Sequence, residues 1–354
     1  MKDMKEITEN LIIGSWARHF SRSPHQLNKL HETDAELVEI SKDSPHILAV
    51  TVDTIAEEIA EGLYKDPYTM GWVTVMATLS DLAAVGARPF GLIVSVSVDA
   101  ARGEEFSDAI AQGMEDASRS LGVFILGGDT NATSEISLTG CAVGFVPRKD
   151  FMTREGCKVG DHVFVTSGVG IGNALGLVRL TKSSDSCFPE KLYRPTARLK
   201  EGEVLRRHAS CCMDTSDGLL TTLDQLMRIN GSGFEVNCDW DVILAPPVLK
   251  LCEATKTPHW LMTAGPHGEF ELVFTIPDRK VDSFLKQARS QGLSPIRLGS
   301  VRKPRAISLV LTSGQRVDVD MAPLRNLLQK VDGDLERYVR EFKAFGEKWG
   351  LETG

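Results

Sequence analysis

The stretch GWVTVMATLSDLAAVGA, residues 71–87, constrains the fold of this chain more than any other segment. Val75, Leu79 and Leu82 fall on one face of a helix, the small residues between them permit close packing, and Gly86 with Pro89 ends it. One carboxylate, Asp81, interrupts the apolar surface. Burying it among Leu79, Leu82, Ala83 and Ala84 is costly unless another group pairs with it, so the helix must pack where Asp81 has company.

Strand-like runs flank this helix. HILAVTVD, residues 46–53, reads as a buried strand that delivers a carboxylate at its tip, and residues 90–99 read as a second strand. Residues 102–120 form an amphipathic helix with Phe106, Ile110, Met114 and Ala117 on the buried stripe. A short strand at 123–126 precedes GGDT, whose glycines suit a turn, and alternation at 135–145 marks another strand. Residues 147–160 are polar and punctuated by Gly and Pro, which predicts a linker with a boundary near residue 150. Beyond it come a strand at 162–166, a Gly-rich turn, a helix at 173–180, a strand at 210–213 and a helix at 219–229. A strand at 270–276 follows, and the charged tail from 324 to 349 has a helical pattern. Both halves therefore read as α/β in the α+β sense, divided as 1–150, 151–325 and a helical tail 326–354. Strands do not alternate regularly with helices, so a doubly wound sheet is not expected.

Bulk properties narrow the function. A length of 354 residues accommodates two domains with their own cores. The formal charge of −8, with no large Lys/Arg cluster, argues against nucleic acid as a partner. No apolar run reaches the ~18 residues that span a bilayer, and the start MKDMKEITENLIIGSWARHF lacks the order of a secretion signal, so no membrane partner and a cytoplasmic location are expected. Seven cysteines form no CxxC pair and read as reduced thiols; adjacent Cys211 and Cys212 suit a buried strand.

Phosphoryl transfer needs cations on the phosphates, and Mg²⁺ takes oxygen ligands, often one or two carboxylates per ion. Asp53 at a strand end, Asp81, Asp129 in GGDT and the Asp214/Asp217 pair in MDTSDG could supply them. Caps and turns explain the same residues taken singly: Asp217 precedes Gly218 and a helix, and Asp129 follows two glycines. Spacing alone does not gather them. The run Gly168-Val-Gly-Ile-Gly-Asn-Ala resembles a dinucleotide fingerprint, but Asn173 stands where the third glycine belongs, so a structural turn is the better reading. No P-loop and no protein-kinase motif set is present.

In order, the chain carries TVDT (51–54), GWVTVMATLSDLAAVGARP (71–89), GGDT (127–130), REGCKVGDHVFVT (154–166), MDTSDGL (213–219) and EFELVFT (269–275). That ordered set resembles the aminoimidazole-ribonucleotide synthetase, or PurM-like, superfamily, and most of all its thiamine-monophosphate kinase branch. The resemblance implies a two-domain PurM-like fold whose N-terminal mixed sheet forms a barrel across a homodimer. It also implies ATP and Mg²⁺ as cofactors and a small-molecule acceptor. Asp34, Thr51, Asp53, Asp81, Asp129, Asp214 and Asp217 match metal-binding positions. Gly128, Asp129, Thr130, Arg154 and Ser216 match nucleotide-contacting ones, and Asp129 and Asp217 are the implied catalytic pair.

The departures lie mainly on the acceptor side. The family's GDDAA becomes Glu32-Thr33-Asp34-Ala35-Glu36, keeping the second aspartate, with Glu36 a possible substitute for the first. D-x-L-V-E-G-V-H-F becomes Asp53-Thr-Ile-Ala-Glu-Glu-Ile-Ala-Glu, which loses the histidine, and GGEDYEL becomes Pro266-His267-Gly268-Glu269-Phe270-Glu271-Leu272. His267 is either a turn residue or a new acceptor contact. Selenophosphate synthetase would need an early Cys or selenocysteine with a Lys nearby, and a hydrogenase-maturation member a C-terminal Cys; neither is seen. The resulting expectation is ATP- and Mg-dependent phosphoryl transfer to a small metabolite. An ATP-driven ligase, or a nucleotide-binding relative without catalysis, is the alternative.

Overall fold

The computed structural model describes residues 8–181, 187–324, 327–331 and 335–351, and the remaining stretches of the predicted segments 1–150, 151–325 and 326–354 lie outside the described residues. Among the described residues, twelve strands build two sheets. The first contains β1 (Glu36–Glu39), β2 (His46–Thr54), β3 (Arg88–Val98), β4 (Ile125–Ala132) and β5 (Ser137–Pro147), in the order β1-β2-β5-β3-β4. All its pairings are antiparallel except β3 with β4. The second contains β6 (His162–Val165), β7 (Cys211–Asp214), β8 (Gly233–Asn237), β9 (Leu272–Ile276), β10 (Ile296–Arg302), β11 (Ile307–Val310) and β12 (Arg316–Val319). Their order is β12-β11-β8-β10-β6-β9-β7, with β8 and β11 parallel.

Helix Pro67–Ala84 is the central post between the sheets. Fourteen of its residues are buried, consistent with its small and apolar composition. It starts four residues earlier than the pattern at 71 suggests: Asp66 accepts from Thr69 N at 3.1 Å and Pro67 occupies the first turn, a cap and a pre-set φ in sequence order. Helix Glu104–Ser120 crosses it at a glycine on each side. A Cβ at Gly71 would lie 2.0 Å from the Ile110 carbonyl oxygen, and one at Gly113 would lie 2.1 Å from that of Tyr68. The two backbones touch, and neither position admits a side chain.

GGDT is not a turn. Residues 127–130 continue β4, paired in parallel with β3 as Ile93↔Gly127 through Val96↔Thr130. The ladder's hydrogen bonds outweigh the turn preference of the glycines. β9 begins at Leu272, two residues later than the pattern suggests, because Phe270 takes a positive φ of 60° and leaves the ladder. Residues 151–160 are irregular but pinned, with Met152 N bonded to Val85 O and Thr153 O accepting from Cys212 N at 2.9 Å. The tail contains helix Leu335–Trp349, which packs Phe342 and Trp349 around Trp260. Cys211 and Cys212 both lie on buried β7, and all seven cysteines are free thiols. Among the described residues, no helix is long and apolar enough to cross a membrane.

Candidate active site

Three segments far apart in sequence meet at one end of helix Pro67–Ala84. Asp34 lies just before β1, Asp81 in the last turn of the helix and Asp214 at the end of β7; each offers a carboxylate oxygen within 4.8 Å of the others. Thr51, on the buried face of β2, donates its hydroxyl to Asp81 Oδ2. Ser80 donates to Asp214 Oδ2 at 2.7 Å, tying the helix to the second sheet. Sequence pattern gave no sign of Ser80 beyond its place beside Asp81.

Arg154 supplies a nearby positive charge. Its Nη2 and Nε donate to Asp34 Oδ1 at 2.8 and 3.2 Å. Both bonds go to one oxygen, and Asp34 Oδ2 is left buried with no hydrogen-bond partner among the described residues. The Asp34 side chain is only 1 % exposed, so water does not satisfy that oxygen freely. Burial and the neighbouring carboxylates Asp214, Asp53 and Asp34 push Asp81 well above the usual carboxylate range, against the Thr51 hydrogen bond. Asp214 is pushed up to about 8 by burial and Asp34, with Ser80 and Arg154 working the other way. Like charges this close do not all ionise without a compensating cation. An orphaned buried oxygen in an all-oxygen donor set fits a hard divalent ion such as Mg²⁺.

Asp53 shares the inner face of β2 with Thr51, two residues away, and its charge acts on both Asp81 and Asp214. It also acts on Glu58, which the sequence patterns did not single out. Burial, then Asp53, Glu57 and Glu61, raise Glu58 to about 7, with a backbone hydrogen bond opposing. Ser216 and Asp217 follow Asp214 at two and three residues. Gly218, with φ of 81°, is the residue that caps helix Leu219–Asn230, so Asp217 is not the cap. Ser216 O accepts from Gly268 N at 3.0 Å.

Gly128, Asp129 and Thr130 are not brought to this cluster within one chain. Asp129 lies in the cross-strand row Thr54, Thr139, Ser95, Asp129, on the exposed face of the sheet. Three strand spacings, about 14 Å, separate β2 from β4. Asn131 Nδ2 donates to Asp129 Oδ2 at 2.8 Å. Asp129 lines a hollow of about 440 Å³ with Val52, Ile93, Ser95, Gly128 and Cys141. The surrounding sheet face is apolar and open, with Val52, Phe90 and Leu126 more than half exposed. Glu36 is exposed and occupied by Asn28 Nδ2 and Gln26 Nε2, so it does not stand in for the missing aspartate.

The acceptor-side departures find structural partners. Glu269 accepts from Gly170 N at 2.7 Å and from Thr215 Oγ1 at 3.1 Å, and burial pushes it up to about 8. Glu271 is forked by Arg198 and bonded by Thr166. Asn173, from the glycine-rich turn, bonds Met262 O at 2.9 Å and accepts from His267 N at 3.1 Å; it is a structural clamp. The His267 ring lies against Gly176, and burial lowers it to about 4, so it is neutral at pH 7.

Comparison with known proteins places the fold. Residues 32–146 match the AIR synthase related protein N-terminal domain. The chain is 33% identical over 244 residues to thiamine-monophosphate kinase of Archaeoglobus fulgidus, covering 68% of this chain and 77% of that one. A solved structure of thiamine-monophosphate kinase from Stenotrophomonas maltophilia, 25% identical, superposes with a TM-score of 0.66 over 84% of this chain and 95% of the other. The protein described as AaThiL complexed with AMPPCP and TMP has a TM-score of 0.71 at 21% identity, over 89% and 95% of the two chains, and shows the shared fold.

Proposed function

This chain belongs to the thiamine-monophosphate kinase family of ATP-dependent phosphotransferases, and we propose that it moves a phosphoryl group from Mg²⁺-bound ATP to a thiamine monophosphate-like phosphomonoester at the Asp34–Asp81–Asp214 cluster. The buried oxygen of Asp34, without a donor of its own, is the observation that carries this reading. Asp34, Asp81 and Asp214 would hold the metal, with Thr51, Asp53 and Asp217 beside it. Bound there, the metal would neutralise charge on the phosphates.

The chain's own groups do the rest. Arg154 holds Asp34 by one oxygen and leaves the other buried without a hydrogen-bond partner among the described residues. Ser80 and Thr51 fix the carboxylates of Asp214 and Asp81, so little reorganisation is needed when the phosphates arrive. Asp217 and Ser216 would meet the transferring end of the nucleotide. Glu58, near neutrality in its ionisation, lies on the Asp53 side, where the family pattern has glycine, and would face the acceptor.

The open apolar face of the first sheet supports a homodimer as part of the same reading. A second copy packed there would cover Val52, Phe90, Ile93 and Leu126. Asp129 sits on that face and Gly128 lines the same hollow, and we assign them, with Thr130 next along β4, to nucleotide and metal binding through the dimer rather than within one chain. A division near residue 150 and a cytoplasmic setting, where ATP is plentiful, complete the proposal.

ADP release with thiamine monophosphate, Mg²⁺ and ATP is the test, with Asp81→Asn as control. Turnover that depends on both Mg²⁺ and Asp81 is the expected result. The departures at Thr33 and Gly268 make binding without turnover the specific alternative: stabilisation by Mg·ATP with no ADP released from any phosphomonoester would replace the transferase reading with it.

A further inference from the structure

The helix that carries Glu58 has little of its own to hold it in place. It is five residues long, Ala56–Ala60, has no side-chain cap and buries none of its residues. A helix shorter than about 12 residues is marginal by itself. Its first end is fixed by buried Ile55, whose N–H bonds Leu138 O in the first sheet at 3.2 Å. Its other end runs into the turn 63–66, tied back to the helix by Leu63 N on Glu58 O at 2.8 Å. Side chains from the second half of the chain grip that turn residue by residue. Arg179 Nε donates to Leu63 O at 3.0 Å. Tyr64 stacks on Tyr193, with ring centres 5.6 Å apart and planes within 17°. Glu190 Oε1 accepts from Lys65 N at 3.0 Å and from Asp66 N at 3.1 Å, and its other oxygen pairs with Arg179.

The two phenols carry the contact further. Tyr193 donates to Gly268 O at 3.0 Å, which commits its only proton, so the 3.3 Å contact between the hydroxyls is a bond donated by Tyr64. Gly268 N in turn donates to Ser216 O at 3.0 Å. A run of hydrogen bonds therefore joins the turn beyond Glu58 to the segment that follows Asp214. It depends on Gly268 being a glycine, because a Cβ there would lie 1.5 Å from Thr215 O. The family pattern has a carboxylate at that position. Here the backbone lies against Thr215 and gives its carbonyl to Tyr193 instead.

We propose that Glu190 and Tyr193 are positioning residues for the acceptor: by holding turn 63–66 they set where the Glu58 helix stands relative to the nucleotide-side segment 214–217. This inference rests on the proposed placing of Glu58 on the acceptor side. Tyr64 and Tyr193 are 4 % and 1 % exposed, so they act through the turn rather than by touching the acceptor. Misplacing a bound substrate by about 1 Å can cost on the order of 100-fold in rate, so even a small slackening of this hold is measurable.

The experiment uses the full-length protein with thiamine monophosphate and Mg·ATP, and compares Glu190→Ala, Glu190→Gln and Tyr193→Phe with wild type. Phenylalanine keeps the stack and removes the hydroxyl, and glutamine keeps an oxygen for Lys65 N and Asp66 N. KM for thiamine monophosphate should rise about tenfold in Glu190→Ala and Tyr193→Phe and return towards wild type in Glu190→Gln, with the Kd of Mg·ATP within about twofold throughout. Amide hydrogen exchange over residues 57–66 should quicken in Glu190→Ala, while the central helix keeps its protection. An unchanged KM in Glu190→Ala or in Tyr193→Phe would overturn the proposal, as would a rise in KM matched by an equal loss of Mg·ATP binding. Unchanged exchange over 57–66 would overturn it as well. A wild type that releases no ADP with thiamine monophosphate overturns the transferase reading instead. The exchange measurement needs no turnover and still decides whether Glu190 holds the helix.

Discussion

Asp214→Asn separates a metal-holding carboxylate from a structural one. In the metal-free protein Asp214 is pushed from 3.8 up to about 8, so its folded form holds a proton that the unfolded chain gives up near pH 4. The sign follows from linkage. Between those two values the folded state binds more protons than the unfolded state, and stability falls as pH rises. At about 1.4 kcal/mol per pH unit, the loss reaches about 4 kcal/mol by pH 7, an upper figure because water and neighbouring groups relax around the charge. Asparagine keeps an oxygen for Ser80 and carries no charge. In chelator, the variant should therefore match the wild type near pH 4 and melt several degrees higher at pH 8. It should also lose the stabilisation that Mg·ATP gives the wild type. Thermal melts from pH 4 to 8, with and without Mg·ATP, read both effects. A variant less stable than wild type at pH 8 in chelator would refute the account of the cluster as repulsive without a cation.

Other substitutions probe separate parts of the molecule. Asp81→Asn should reduce turnover at least 100-fold while leaving the fold intact by circular dichroism. Val52→Asp with Ile93→Asp should give a monomer by sedimentation, and should lower activity as strongly as Asp129→Asn if that face completes the site. Gly113→Ala places a methyl group against the Tyr68 carbonyl and should cost about 2–3 kcal/mol, measured by denaturant unfolding. Arg154→Ala should weaken Mg·ATP binding about tenfold, because Asp34 loses the guanidinium that orients it.

Local pattern carried the fold well wherever periodicity decided the matter. The helix with Ile110, Met114 and Ala117 on its buried stripe and the alternating strand β5 are of that kind. Pattern failed where long-range pairing overrode local preference. The glycines of GGDT read as a turn, yet a parallel neighbour keeps them extended. Asp217 read as a cap, but Gly218 takes that position. The site was less legible than the fold, since nothing local brings Asp34, Asp81 and Asp214 together; only the ordered resemblance linked them. That resemblance in turn did not reveal Ser80, Glu58 or the placing of Asp129 on the outer face, because these depend on neighbours in space. Arg154, implied as a nucleotide contact, is seen forked onto Asp34.

The three cluster carboxylates come from residues 34, 81 and 214, which an unfolded chain keeps far apart. A cation held by them would therefore have almost no competing site in the unfolded ensemble, and its binding energy would be returned as resistance to unfolding. Loading with Mg·nucleotide would act as an inspection of the finished chain, because only a molecule whose two sheets have docked on the central helix can retain it. Cellular abundance of the protein would then follow the supply of its own nucleotide.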